Sequence, residues 1–252
     1  MKIQPLSLSL ILAVGFIPTA MLAQLSTSKP TTELPDAPAA TVAALNVPNG
    51  PTAVLDTSMG RITCQFYEKQ APETVANFIA LAEGSKDWTD PNTGTKQHHK
   101  PLYDGTVFHR VIPDFMIQGG DPAGTGMGGP GYSFKDEFDA NLNFDTAGKM
   151  AMANSGPNTN GSQFFITEGA YPSLSQHYSL FGQCDASGIA VVKTIARVSR
   201  DGNDKPRSPV TLKKVTIVRP GQPMPPLPGG VSAPVKAAVR TVAPALGTPA
   251  AR

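Results

Sequence analysis

The stretch FHRVIPDFMIQGGD, residues 108–121, sets one arginine, Arg110, among Phe108, Val111, Ile112, Phe115, Met116 and Ile117. A second stretch, MANSGPNTNGSQFFIT at residues 152–167, places two amides, Asn154 and Gln163, near Phe164 and Phe165. The two stretches raise the question of what chemistry would use a fixed cation beside apolar surface with no nucleophile next to it. A guanidinium stays charged at any working pH and holds its donors in a rigid fork. Apolar walls lower the local dielectric and strengthen whatever that fork binds.

The other reactive residue types do not assemble into a competing site. His98 and His99 are adjacent, so their side chains diverge and make a poor metal pair. His109 is one residue from Arg110 and should face the other side of the strand, with a structural hydrogen bond as its expected role. His177 lies in a turn-like SLSQHY. No HExxH, GxSxG or phosphate loop is present. GGDPAGTGMGGPG, residues 119–131, is rich in glycine but lacks the Lys-Ser/Thr ending and the following helix of a phosphate loop; it reads as a flexible loop. Cys64 and Cys184 match neither a zinc spacing nor a redox CxxC. Two buried free thiols are the favoured reading of that pair, and a disulfide formed in an oxidising compartment is the alternative. A formal net charge of +2 with no basic cluster argues against nucleic acid. No metal and no cofactor are expected.

These residues need strands to position them. TAVLDTSMGRITCQFY is two β-rich runs about a Ser58-Met59-Gly60 turn, with Ile62, Cys64 and Phe66 alternating against Arg61, Thr63 and Gln65. APETVANFIALAEG predicts a helix, with Pro72 early, Gly84 as its stop, and Val75, Phe78, Ile79 and Ala82 on one face. SKDWTDPNTGTKQHHKPLYDG reads as a long surface loop. Short β-runs follow (TVFHRVI, FMIQGG, GKMAMAN, SQFFIT and SLFGQC), then a helix in ASGIAVVKTIARV with Ile189, Val192 and Ile195 aligned, and a last strand, TLKKVTIV. Many short strands, two helices and no βαβ alternation predict a mainly β fold, a closed antiparallel barrel.

The ends of the chain differ from its middle. Residues 1–23 have the layout of a secretory signal, with an uncleaved membrane anchor as the alternative. Residues 24–51 read as a disordered Pro/Thr/Ala-rich linker, residues 52–218 as the folded domain, and residues 219–252 as a disordered Pro/Ala-rich tail. The expected setting is periplasmic or secreted, with no stable membrane insertion once the signal is removed.

The two long motifs resemble the signature stretches of the cyclophilins, peptidyl-prolyl cis-trans isomerases, and the similarity runs from about Ala53 to Val218. The resemblance implies a closed eight-stranded antiparallel β-barrel capped by two α-helices, and a monomer. It also implies Arg110, Phe115 and Gln118 as catalytic residues, Gln118 bracing the arginine. Met116, Gly126, Ala153, Asn154, Gln163, Phe165, Leu174 and Tyr178 would bind a proline-containing polypeptide. Two positions depart from the best-known family pattern: Ser173 stands where a tryptophan is expected, and Tyr178 where the pocket histidine is expected. Because that tryptophan donates a hydrogen bond to cyclosporin, at most weak cyclosporin binding is expected. Two other readings remain at this level: a domain that binds proline peptides as a chaperone or scaffold without catalysis, and, further off, a hydrolase.

Overall fold

In the computed structural model, which describes residues 47–228, the alternating run at residues 52–66 is a hairpin. Strand β1 (Thr52–Thr57) turns through Ser58 and Met59 into β2 (Gly60–Phe66). Thr57 fastens the turn, its hydroxyl donating to the Gly60 carbonyl (2.7 Å) and accepting from the Met59 N–H (3.0 Å). Ile62, Cys64 and Phe66 are fully buried, as their alternation requires.

Helix α1 (Pro72–Glu83) has Pro72 in its first turn and ends at Gly84, whose φ of 73° lets its N–H return to the Ala80 carbonyl. Its buried face is Val75, Phe78, Leu81 and Ala82, with Thr74 and Asn77. Ile79, expected on that face, is only half-buried, and Leu81 takes its place. The helix has no side-chain cap of its own. Glu137, far along the chain, supplies one by accepting from the N–H groups of Glu73 (3.0 Å) and Thr74 (2.7 Å).

The long loop after α1 contains a two-stranded ribbon, β3 (Trp88–Thr89) with β4 (Lys96–Gln97). The remaining strands are β5 (Arg110–Ile112), β6 (Met116–Gly119), β7 (Lys149–Met152), β8 (Phe164–Thr167), β9 (Leu180–Cys184) and β10 (Leu212–Val218). Helix α2 (Ala186–Ala196) lies between the last two and is capped by the Asp185 carboxylate, which accepts from the Gly188 N–H at 2.6 Å.

Eight strands form one antiparallel sheet in the order β10-β1-β2-β9-β7-β8-β6-β5. The sheet is curled. Its edge strands, β10 and β5, do not form a ladder with each other; the segment leading into β5 bonds to the start of β10 instead. Gly105 donates to the Leu212 carbonyl, Leu212 to Thr106, and Phe108 to Val210, each at 2.8–3.0 Å. Inside the curl, Phe66, Phe78, Tyr103, Phe164 and Phe181 pack with ring centroids 4.6–5.8 Å apart.

The favoured reading of the two cysteines is corrected. Cys64 and Cys184 are joined by a disulfide. They are direct partners in the β2–β9 ladder, a register that cannot be read across a sequence separation of 120.

Contacts also extend past both expected limits of the domain. Asn49 and Gly50 donate to the Phe66 carbonyl at 2.9 Å. Beyond Val218, Arg219 pairs with Glu83 (2.7 Å), and Arg61 donates to the carbonyls of Pro225 (2.6 Å) and Pro226 (2.7 Å). The signal-like segment, the linker up to residue 46 and the tail from residue 229 lie outside the described residues.

Candidate active site

Strands β6, β7 and β8 are buried on both faces, so their two-residue period distributes side chains between two apolar clusters. Ile117, Met150, Met152, Phe164 and Ile166 point into the curl. Met116, Ala151 and Phe165 point outward, where Phe144, Leu180 and Tyr67 back them and Phe115, Leu174 and Tyr178 lie partly exposed. The outer cluster is therefore the floor of a groove. Phe165 is its centre, stacked on Phe144 (5.8 Å, 9°) and edge-on to Tyr178 (5.2 Å, 85°).

A cavity of about 180 Å³ opens over this floor, lined by Arg110, Phe115, Met116, Gln118, Ala153, Asn154, Phe165, Leu174 and Tyr178. A second hollow of about 520 Å³ adjoins it and shares Gln118, Ala153 and Asn154. Gly126 and Gln163 line that second hollow. The sequence-expected residues thus come together, divided between two connected cavities. Ser173 is exposed on the short 3-10 turn Pro172–Leu174 beside Leu174.

Arg110 is 45 % exposed, and its Nε lies 4.0 Å from Asp204 Oδ2. Asp204 also accepts from Arg200 Nε (3.0 Å), and its carbonyl accepts from the Val111 N–H (2.9 Å), which ties its loop to β5. Sequence reasoning missed Asp204, one of two acids in the RDGNDKP loop with no spacing signal of its own. The Gln118 side chain makes no hydrogen bond to Arg110 among the described residues, so the bracing expected of it is not formed there. Although Gln118 is the ladder partner of Arg110, its Nε2 donates to Gln163 Oε1 at 2.9 Å.

Gln163 carries that contact onward, its own Nε2 donating to the carbonyls of Gly126 (2.9 Å) and Gly128 (2.8 Å). The loop bearing these glycines, expected to be flexible, is folded around the buried Asp121 carboxylate. That carboxylate accepts from the N–H groups of Ala123, Thr125, Gly126 and Gly128 at 2.7–3.2 Å. Burial works against its ionisation, but these donors outweigh it and hold its pKa below the ordinary value of 3.8. At Gly120 the backbone passes so close to Ser162 that a Cβ would lie 2.4 Å from its carbonyl, and φ is +84°.

His109 does face away from Arg110 and is buried; neither ring nitrogen meets full hydrogen-bond geometry among the described residues, and the polar side chain that acts on the ring is Gln163. Burial lowers its pKa, which leaves the ring neutral at pH 7, and it packs against Gly126. Asn154 Nδ2 donates to the His177 carbonyl at 3.1 Å. Among the described residues no group of three or more His, Cys, Asp or Glu is placed to hold a metal ion.

A groove with an apolar floor, one exposed guanidinium and amide-bearing walls can hold an extended peptide and donate to one of its atoms. Comparison with known proteins agrees with that geometry. Residues 52–217 match the model of the family described as cyclophilin type peptidyl-prolyl cis-trans isomerase. Peptidyl-prolyl cis-trans isomerase A of Mycobacterium tuberculosis is 52 % identical over 167 residues, 66 % of this chain and 91 % of the relative. Peptidyl-prolyl cis-trans isomerase B of Streptomyces anulatus is 46 % identical over 167 residues, 66 % of this chain and 95 % of the relative. Among solved structures, a cyclophilin type isomerase of Cryptosporidium parvum superposes with a TM-score of 0.58 at 33 % identity, covering 67 % of this chain and 98 % of its own. A second structure of that protein was determined in the presence of the dipeptide Ala-Pro (TM-score 0.57). By its family model, its relatives and its fold, this chain belongs to the cyclophilin-type peptidyl-prolyl cis-trans isomerases.

Proposed function

We propose that the 180 Å³ cavity takes the proline ring of an extended polypeptide and that Arg110 accelerates rotation about the preceding bond without forming a covalent intermediate. The barrier to that rotation, about 18–20 kcal/mol, is the amide resonance lost when the bond twists. In the twisted state the nitrogen lone pair localises and accepts a hydrogen bond that the planar ground state cannot accept. A guanidinium aimed there lowers the transition state more than the bound substrate, which is the requirement for catalysis. Phe115, Met116, Phe165 and Leu174 hold the ring; Ala153, Asn154 and Gln163 line the path of the flanking backbone. An Ala-Pro sequence, as in the dipeptide present with the Cryptosporidium relative, is a fitting minimal substrate.

One observation carries this reading: Arg110 is the cation of a cavity whose other walls are apolar side chains and neutral amides. Replacing Arg110 with Ala removes one donor to the transition state, a loss of about 2.7–4 kcal/mol, or 100- to 1000-fold, by analogy with oxyanion-hole donors. Because the side chain is half exposed, the variant should fold normally. A proline-peptide isomerisation assay checks this, and a folded variant with unchanged turnover overturns the role of Arg110. The same assay separates catalysis from a scaffold that only binds proline peptides.

The reading extends to setting. The signal-like N-terminus and the Cys64–Cys184 disulfide together favour an exported protein that assists folding in an oxidising compartment. Fractionation of cells carrying the full chain tests this, and recovery in the cytosol alone rejects it. The backbone bonds joining Thr106–Phe108 to Val210–Leu212 favour a barrel closed across β5 and β10.

A further inference from the structure

The turn that carries Phe115 is held from outside the groove by side chains that the isomerisation does not use. Asp114, between β5 and β6, has φ +59°, a backbone uncommon outside glycine. Three groups fix it there. Its N–H donates to Glu168 Oε2 at 2.9 Å, its carboxylate accepts from Arg197 Nη2 at 2.8 Å, and its carbonyl accepts from the Tyr171 hydroxyl.

The same groups reach Phe115. The Glu168 N–H donates to the Phe115 carbonyl at 2.8 Å, and the Tyr171 ring stands edge-on to the Phe115 ring (5.0 Å, 81°). Glu168 is 5 % exposed, and Arg197 Nη1 pairs with its second oxygen. A carboxylate so far removed from water depends on both donors. Arg197 is itself fixed: it terminates α2, and its Nη1 also donates to the Lys193 carbonyl at 3.0 Å.

We propose that Glu168 and Arg197 are positioning residues of the proline groove. With Asp114 they lock the β5–β6 turn, so that Phe115 stands against Tyr171 and closes one wall. The proposal rests on reading that groove as the proline site. Neither Glu168 nor Arg197 lines it, so both act through the turn. The effect falls on peptide affinity more than on the turning step, because Arg110 keeps its place on β5.

Salt makes the role measurable. The Arg197–Asp114 half of the cluster is exposed (side chains 47 % and 85 %), so its attraction weakens as the Debye length falls from about 30 Å at 0.01 M salt to about 3 Å at 1 M. The Arg110–Asp204 pair responds to salt in every variant, so the difference between wild type and variant is the quantity to read.

The test uses the full chain and an Ala-Pro tetrapeptide, with affinity from NMR titration and turnover at saturating peptide. Arg197→Ala should weaken binding about 3- to 10-fold, or roughly 0.7–1.4 kcal/mol, with turnover nearly unchanged. The affinity of the wild type should fall with salt more steeply than that of the variant, and Arg197→Lys should recover part of the loss. Asp114→Asn tests the exposed side without risk to folding, since Asn tolerates the left-handed turn; it should lose the extra salt dependence with a smaller change in affinity. If Arg197→Ala and Asp114→Asn both keep wild-type affinity and salt response, the proposal is overturned while the groove reading stands; if Arg197→Ala does not fold, Asp114→Asn alone decides. A wild type that neither binds nor turns the peptide overturns the groove reading and this proposal with it.

Discussion

Asp121 does for the glycine-rich loop what a bound anion would do, drawing four backbone N–H groups onto one buried carboxylate. Gly126 and Gly128, two of those donors, present their carbonyls to Gln163, which in turn holds Gln118. The ionised carboxylate thus supports the wall of the groove at two removes. Its pKa is depressed below 3.8 on folding. The folded state therefore binds the proton less readily than the unfolded chain, and stability rises with pH across the interval between the two pKa values. This contribution is complete above the unfolded carboxylate range and is lost as pH falls through the folded value, below about 4. The amide signals of Gly126 and Gly128 should shift on acidification before the core opens. Asp121→Asn should remove that step and cost about 1.5–3 kcal/mol at neutral pH, the worth of hydrogen bonds to a charged group. Glycine amides that do not respond to acid would show that the loop does not depend on the charge.

At the scale of elements, α1 depends on a residue far outside itself. Ala71 offers no side chain to cap the helix, and the Glu137 carboxylate takes two of its free N–H groups instead. Glu137→Ala should cost about 1 kcal/mol, as other lost caps do, and lower the melting temperature by about 2–4 °C for a domain of this size. Glu137→Gln, which keeps an acceptor, should recover part of it; thermal unfolding of both variants is the check, and an unchanged melting temperature for the alanine variant would remove Glu137 from the role. This contact also marks where the sequence stops being informative. Pro72, Gly84 and the 3.6-residue spacing of Val75, Phe78 and Ala82 are local, and they were enough to predict α1. The alternation of Ile62, Cys64 and Phe66 was likewise enough for β2, and the two long motifs for the residues that line the groove apart from Leu174 and Tyr178. Glu137, Asp204, Glu168 and Arg197 act across tens of residues through single side chains, and no period betrays them. Side-chain torsion is equally silent, which is why the ladder position of Gln118 did not reveal that its amide turns to Gln163.

For the whole molecule the strongest single constraint is the disulfide. Cys64 and Cys184 are 120 residues apart, and the loop they close contains β3 to β8 and hence most of the groove. In the chain-entropy account a loop of this length restricts the unfolded chain by about 5 kcal/mol, and measured bridges typically give 2–4. The folded state has less to lose. The β2–β9 ladder pairs Gln65 with Gln183 and Phe66 with Gly182 whether or not the sulfurs are joined, and neither cysteine lines the 180 Å³ cavity. Reduction should therefore lower stability by about 2–4 kcal/mol, while the native protein at 25 °C keeps its isomerase activity. The signature of an effect on the unfolded state is a steeper denaturant dependence after reduction, because an unlinked chain exposes more surface. Thiol titration of the denatured, unreduced protein should find no reactive thiol, and denaturant unfolding with and without reductant then measures the rest. Two thiols in the titration would exclude the bridge. A loss of activity that tracks reduction while the protein stays folded would mean instead that the bridge shapes the groove directly.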